Sequence, residues 1–285
     1  MRALSPVRTS SWTAWPRRRM RQWFDVRRTQ PMASTLPLSG VVITRNEADR
    51  IGRCLASLAP VCRELRVLDS GSDDETVAIA RAAGAVVEHQ DWLGFAAQKT
   101  LATSRASQPW VLLLDADEWL DAQSQERIAG LFASGQIESR DVWCLPRRTW
   151  FLGKPLRFGS WAHEYVHRLS RPDLRYLPVL VHEGPDLTGK RVGHCEARIE
   201  HETARSLDEY RAKLAGYARL WAQQRREAGR RAGRMSAAVH AAAYWLKHYV
   251  IRGGFLDGRT GWQFHACHTR YVYDKYDLLR RTPSA

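Results

Sequence analysis

The stretch Trp110-Val111-Leu112-Leu113-Leu114-Asp115-Ala116-Asp117-Glu118 decides how this chain is read. An unbroken apolar run of this length is what a strand buried on both faces requires, and such strands belong to parallel sheets. The run stops on carboxylates. In open α/β sheets the carboxyl ends of the strands face the ligand crevice, so Asp115 and Asp117 are expected to project where a bound group would sit. Two carboxylates one residue apart can reach a single hard cation, Mg²⁺ or Mn²⁺, which takes oxygen ligands and can share them with a diphosphate. A plainer reading stands beside it. Acids at a helix N-terminus are favoured by the helix dipole alone.

Working outward, short apolar runs at 39–43, 65–68 and 85–87 alternate with amphipathic stretches. Ile51, Leu55 and Leu58 fall on one helical face, and further helices are expected over 74–83 and 96–104. Strand and helix alternating at this spacing predict βαβ units, hence an α/β fold on a mostly parallel sheet flanked by helices. The first strand runs into Thr44-Arg45-Asn46-Glu47, the second into Asp69-Ser70-Gly71-Ser72-Asp73-Asp74-Glu75-Thr76. Adjacent parallel strands would bring both turns to the sheet edge that carries Asp115. There Asp69 can accept from a base imide N–H, and Gly71 lets the backbone pass close to a ligand. Each turn alone also reads as a helix cap; three acid-bearing strand ends in this order are harder to dismiss. Neither G-x-x-x-x-G-K-[ST] nor G-x-G-x-x-G occurs, so a nucleotide here is not held by a glycine-rich phosphate loop.

Residues 141–202 are less regular, with strands expected at 142–145 and 176–181. Ser206-Leu207-Asp208-Glu209 is a capping box that opens a helix towards Gly229. A second helical stretch over 236–251 places Val239, Ala243, Leu246 and Val250 on one face, flanked by Tyr244, Trp245, Lys247 and His248. That stripe either packs on the core, the plainer expectation, or lies in a membrane interface with aromatic and cationic anchors. The organisation expected is a basic tail at 1–35, a catalytic α/β domain at 36–202 and a basic helical C-terminal extension at 203–285. The tail is Arg-rich and acid-poor, as organellar transit peptides are. No apolar segment follows Arg17-Arg18-Arg19, so it reads as a disordered tail, or as the product of an upstream start codon, rather than a secretory signal.

Composition narrows the class. The chain has 285 residues, 44% hydrophobic and 26% charged, enough for a buried core. No stretch approaches the roughly 18 apolar residues of a membrane span, so a soluble or peripheral protein is expected. Cys54, Cys62, Cys144, Cys195 and Cys267 are scattered and odd in number, as reduced thiols in a cytosolic compartment would be. His265-Ala266-Cys267-His268 lacks a matching second half, so structural zinc is not expected. The net charge of +14 is uneven. Residues 1–35 carry eight Arg and one Asp, residues 203–285 sixteen Lys and Arg against six acids, and the middle is slightly acidic. Basic flanks around an acidic middle suit an anionic membrane surface or a phosphorylated acceptor better than nucleic acid, whose binders carry the charge on the working face.

With those residues in place, the chain resembles the family-2 glycosyltransferases of the GT-A, Rossmann-like fold, and most of all the lipopolysaccharide inner-core glucosyltransferase branch. The likeness runs through Thr44-Arg45-Asn46-Glu47, Asp69-Ser70-Gly71-Ser72-x-Asp74-x-Thr76, Trp92-Leu93-Gly94-Phe95-x-x-Gln98-Lys99 and Asp115-Ala116-Asp117-Glu118. It continues to Arg168-Leu169, Val181-His182-Glu183 and Gly253-x-x-x-Asp257-Gly258. The aspartate motifs belong to a very broad superfamily, whereas the Trp92 segment and Asp257-Gly258 are more particular to the branch. The resemblance implies a nucleotide-sugar donor, UDP-glucose foremost. Asp69 would meet uracil, Thr44, Asn46, Glu47, Gly71 and Ala116 would line the nucleotide pocket, Asp115 and Asp117 would address ribose and metal, and Lys99 would face the diphosphate. It also implies an inverting displacement assisted by Mg²⁺ or Mn²⁺, with a carboxylate as general base; Glu183 is slightly preferred to Glu164. Either could instead be an ion-pair partner of a nearby Arg. The acceptor implied is a lipopolysaccharide core or another lipid-linked glycan, at the cytoplasmic face of an anionic inner membrane.

One stretch departs from the family pattern. Relatives show Gly-Trp-Tyr-Pro-Asp before Arg-Leu where this chain has Ser160-Trp161-Ala162-His163-Glu164, which leaves acceptor choice open. The change also creates His163-Glu164-Tyr165-Val166-His167, a formal H-E-x-x-H match, but nothing around it is helical, as zinc-protease chemistry requires. Two competitors remain. One is a polyprenyl-phosphate sugar synthase of the same fold; the other, from a different class, is a basic nucleic-acid-binding protein.

Overall fold

A computed structural model describes residues 35–159, 161, 164–177 and 184–281. Residues 1–34 of the expected basic tail, residues 178–181 of the strand expected at 176–181, and Glu183 therefore lie outside the described residues. From Thr35 onward the chain forms one compact unit.

The first half follows the expected alternation. It contains β1 (Leu36–Thr44), α1 (Ile51–Leu58), β2 (Cys62–Asp69), α2 (Thr76–Ala82), β3 (Val86–His89), α3 (Phe95–Ser104) and β4 (Trp110–Asp115). The four strands pair in parallel in the order β3-β2-β1-β4. Both faces of β4 are covered, and Val111, Leu112, Leu113 and Leu114 are at most 1% exposed. A glycine in β1 is demanded by packing: a Cβ on Gly40 would stand 3.0 Å from both Cys62 Sγ and Leu65 Cδ2. Register settles where the acids go. Thr44 pairs with Asp69, and Ile43 with Asp115, so three strands end together at one edge.

The second half is mixed rather than parallel. It comprises β5 (Glu118–Leu120), α4 (Ala122–Ala133), β6 (Val142–Phe151), β7 (Lys154–Pro155), β8 (Glu164–Ser170), β9 (Val192–His194) and β10 (Ile199–Glu202). β8 enters antiparallel between β4 and β6, so the parallel arrangement stops there. β10 runs parallel to β6 and antiparallel to β5, pairing His201 with Glu118. The 142–145 strand is the start of β6, whereas Tyr176 makes only an isolated bridge to Pro185.

Three helices follow: α5 (Leu207–Glu227), α6 (Ser236–Tyr244), which continues as a π-helical turn over Trp245–Ile251, and α7 (Gly258–Arg281). Half of the capping box is formed: Ser206 Oγ accepts the Glu209 N–H at 3.1 Å, while the Glu209 carboxylate pairs with Arg205 instead of the Ser206 N–H. Phe151 and Leu156 from the β6–β7 hairpin share one core with Tyr210 and Leu214 of α5 and Phe264 and Cys267 of α7. The Val239–Val250 stripe corrects the plainer expectation. Ala237 and Ala241 face inward and let α6 lie close to α7, while Val239, Leu246 and Val250 point away and are about half exposed. Among the described residues no helix is long and apolar enough to cross a membrane.

Candidate active site

The turns after β1 and β2 are stitched to each other. Asn46 adopts the left-handed backbone (φ 55°), which Asn tolerates better than most residues. Its N–H donates to Ser72 Oγ at 2.9 Å, and its side-chain oxygen accepts from the Asp73 N–H at 3.0 Å. The Glu47 N–H donates to Thr76 Oγ1 (2.8 Å) and the Ala48 N–H to Asp74 Oδ2 (3.2 Å). Asp69, buried at the end of β2, caps its own turn by accepting from the N–H groups of Gly71 and Ser72, both at 2.9 Å. Gly71 sits at φ 83°, which explains the glycine. The Ser, Asp and Thr of this motif thus hold together the two turns that carry Asn46, Glu47 and Asp69.

Past β4 a two-residue turn, Ala116-Asp117, leads into β5. Ala116 and Glu118 are buried, Ala116 within the main core, whereas Asp115 and Asp117 turn towards solvent. Glu118 is fully buried and accepts from Arg147 Nη1 and Arg168 Nη2, both at 2.9 Å. Arg168 also donates to Asp115 Oδ2 at 2.6 Å, and Lys99 Nζ lies 3.4 Å from Asp115 Oδ1. Lys99 is brought there by α3. The neighbouring Gln98 is fully buried and donates to Ser70 Oγ and to the Gln90 carbonyl. Glu164, the first residue of β8, is held by Arg147, whose Nε and Nη2 both donate to Oε2 at 2.9 and 2.7 Å.

Four residues that the sequence reading did not assign to the site complete it. His201 Nε2 lies 3.3 Å from Asp117 Oδ2, and the Glu202 N–H donates to the Asp117 carbonyl at 3.0 Å. Arg50, 5% exposed, stands 3.6 Å from Glu47 and 3.8 Å from Asp117. Arg205 binds Glu47 at 2.6 Å and Asp49 at 2.7 Å. Arg168 appeared only within a motif. The available signal was weak: Asp-x-Asp advertises itself, whereas His201 lies far along the chain and reaches Asp117 only through the β5–β10 pairing.

The charges are tuned. Burial opposes ionisation of Asp115, but Arg168 and Lys99 outweigh it and hold the carboxyl far below its ordinary range. Burial opposes ionisation of Asp117 as well, yet the neighbouring His201 brings it down to about 2. Glu47 goes the other way: burial raises it to about 7 against the pull of Arg205 and Arg50. Both Asp115 and Asp117 are therefore anions at neutral pH. Among the described residues no three His, Cys, Asp or Glu side chains are placed to hold an ion by themselves. The donors present do fit a cation shared with a ligand. Asp117 offers oxygen and His201 nitrogen, while the buried Asp115 Oδ1 and His201 Nδ1 make no hydrogen bond.

Paired acids and fixed cations stand together at the carboxyl ends of β1, β2 and β4, the edge at which α/β enzymes of this kind take their ligands. The chain belongs to glycosyl transferase family 2, whose sequence profile matches residues 39–166. It is 30% identical to the lipopolysaccharide core biosynthesis glycosyltransferase LpsC of Rhizobium meliloti, over 88% of this chain and 97% of that protein. It is 43% identical over 100 residues to an uncharacterized glycosyltransferase of Rickettsia conorii, covering 35% of this chain and 36% of the other. A solved glucosyl-3-phosphoglycerate synthase from Mycobacterium tuberculosis, in complex with Mg²⁺ and uridine-diphosphate, superposes with a TM-score of 0.41 and 16% identity, over 70% of this chain and 79% of that one. The protein is a glycosyltransferase. The nucleic-acid-binding alternative does not describe it.

Proposed function

We propose that the chain transfers a hexose, glucose, from a UDP-sugar to a lipopolysaccharide core or another lipid-linked glycan, with inversion. The name of the Rhizobium relative and its near-complete overlap support the acceptor class. The observation that carries the reading is the Asp117–His201 pair, 3.3 Å apart, beside an ionised Asp115 at the edge where β1, β2 and β4 end. Asp117 and His201 would hold Mg²⁺ or Mn²⁺, which when bound supplies positive charge against the leaving diphosphate. Lys99, fixed behind Asp115, adds a cation at the same place. Asp69 receives the uracil imide, Asn46 and Glu47 close the nucleotide pocket with Thr44, Gly71 and Ala116, and Asp115 accepts from the ribose.

The displacement forms one bond and breaks one. The acceptor oxygen bonds to the anomeric carbon, the sugar–phosphate bond leaves with its electron pair on UDP, and the hydroxyl proton passes to a carboxylate. Glu183 is the first choice for that base and Glu164, steered by Arg147, the second. The enzyme would work in the cytoplasm, peripherally at the inner face of the inner membrane, where donor and lipid-linked acceptor meet.

The test is UDP release from UDP-glucose by the purified full chain. Release that needs Mg²⁺ or Mn²⁺ and stops with EDTA is expected. Absence of UDP-sugar binding with either ion, in protein whose circular dichroism shows an intact fold, rejects the reading. Supplying lipid A–core oligosaccharide and polyprenyl phosphate in parallel separates the acceptor from that of a polyprenyl-phosphate sugar synthase.

A further inference from the structure

Between Glu227 and Asp257 the sequence contains no acidic residue, yet it holds Arg230, Arg231, Arg234, Lys247 and Arg252. The same segment carries a run of large apolar side chains that the fold leaves in solvent. Met235, Val239, Leu246, Val250, Ile251 and Phe255 are between 45% and 72% exposed. They are not scattered. Positions 235, 239 and 246 lie on one side of α6 by helical phase. The π-helical turn over Trp245–Ile251 needs more residues per revolution, so it keeps Val250 and Ile251 in line with Leu246. Monomeric soluble proteins rarely present a contiguous apolar face of this kind without a use for it. The aromatic neighbours fit a water–lipid boundary. Trp262 of α7 is 53% exposed, and it lines a groove of about 520 Å³ with Trp245, Arg270 and Tyr273.

We propose that the 235–256 face is a membrane-docking surface that inserts its apolar ridge into an anionic lipid bilayer. Charge complementarity selects the occupant. Five cations with no acid among them repel a second copy of the same face and attract phospholipid headgroups, while the ridge supplies burial that a purely electrostatic contact lacks. The surface is joined rigidly to the catalytic half. The Asp257 carboxylate accepts from the N–H groups of Arg157 and Phe158, both at 3.1 Å, and the Gly159 N–H donates to the Arg252 carbonyl at 3.0 Å. Glu164 lies five residues beyond Gly159 in the sequence. Docking on lipid therefore fixes the orientation of the strand that carries one candidate base, which serves the lipid-linked acceptor proposed above and rests on that reading for its purpose, not for the binding itself.

The full chain is to be sedimented with phosphatidylcholine vesicles with and without phosphatidylglycerol, at low and high salt, beside Leu246→Asp/Ile251→Asp and Lys247→Gln/Arg252→Gln. Wild type should pellet with the anionic vesicles only, and less so in salt. The aspartate pair should weaken binding roughly tenfold or more, the glutamine pair less, and both should keep wild-type UDP release. Hydrogen exchange on the wild-type protein should show vesicle-induced protection of 235–256 independently of any variant. Equal pelleting of wild type and the aspartate pair, or protection elsewhere alone, overturns the proposal. So does a concentration-dependent dimer that Ile251→Asp abolishes, which would make the face a protein interface. Failure of UDP release with normal vesicle binding would strike the transferase reading instead.

Discussion

Glu118 has no contact with solvent, and its two oxygens serve three donors: Arg147, Arg168 and the Asp115 N–H at 3.0 Å. Removing it would leave Arg147 only Glu164 and Arg168 only Asp115, with one buried positive charge no longer balanced, and breaking a buried pair from one side costs about 3–5 kcal/mol. Glu118→Ala should therefore lower the urea midpoint by that equivalent at constant m-value. The neighbouring acids are expected to behave differently. Asp117→Ala should leave the fold intact and cut kcat by more than tenfold, that is by more than about 1.4 kcal/mol in barrier; retention of a tenth or more of the rate would contradict a metal role. His201→Ala should raise the Mn²⁺ concentration for half-maximal UDP release by about tenfold or more, a readout that a merely structural histidine would not move. Asp115 and Asp117 were legible because carboxylates ending an apolar run are conspicuous. His201, Arg50 and Arg205 were not, because each becomes a neighbour only through strand register or a helix start that no local pattern announces.

At the scale of elements, the sequence reading succeeded where one period dominates. β1 to β4 and their helices follow from apolar runs alternating with helical faces, and Ser206 marks the start of α5 through cap chemistry. It fell short at β8, an antiparallel strand whose Glu164-Tyr165-Val166-His167 carries no alternation. On α6 the periodicity revealed an apolar face but not the side it would occupy; the small Ala237 and Ala241, not the larger residues, settle against α7. The packing of α7 against α5, through His268 and Tyr210, and against α6, through His265 and Tyr244, carries a pH dependence. Burial lowers His265 to about 4, with His248 adding to the effect, and His268 to about 3. Above an unfolded value near 6.5 neither state binds the proton and this contribution is level. Below it the unfolded chain takes up protons that the native chain refuses, so stability falls as pH drops from 6.5 towards 4 and 3, by about 2 kcal/mol per histidine at pH 5. His268→Phe should melt lower at pH 7, because the Tyr210 hydroxyl loses its 2.6 Å partner, yet lose less between pH 7 and pH 5. A parallel decline of both proteins in thermal melts would contradict the assignment.

At the scale of the molecule, the helical C-terminal segment and the α/β half share a core and a charge cluster. Phe151, wholly buried at the end of β6, touches the rings of Tyr210 and Phe264, with centroids 5.1 and 5.3 Å away. Arg205, at the entrance to α5, reaches back to Glu47, Asp49 and the Asn46 carbonyl. The turn after β1 is thus clamped from outside the α/β half, and Phe151 and Leu156 of the β6–β7 hairpin are covered by side chains of α5 and α7. Ending the chain at Thr203 would expose Phe151 and Leu156 together, and losing the burial of even one such aromatic costs about 3–5 kcal/mol. That is a large part of the 5–15 kcal/mol typical of a folded protein. The truncated chain should accordingly bind an apolar dye, melt without a cooperative transition and release no UDP, whereas the intact chain should unfold in one calorimetric step with matching van't Hoff enthalpy. A truncated protein that melts sharply and still hydrolyses donor would mean that the extension only decorates the catalytic half, and that Arg205 has no part in shaping the turn after β1.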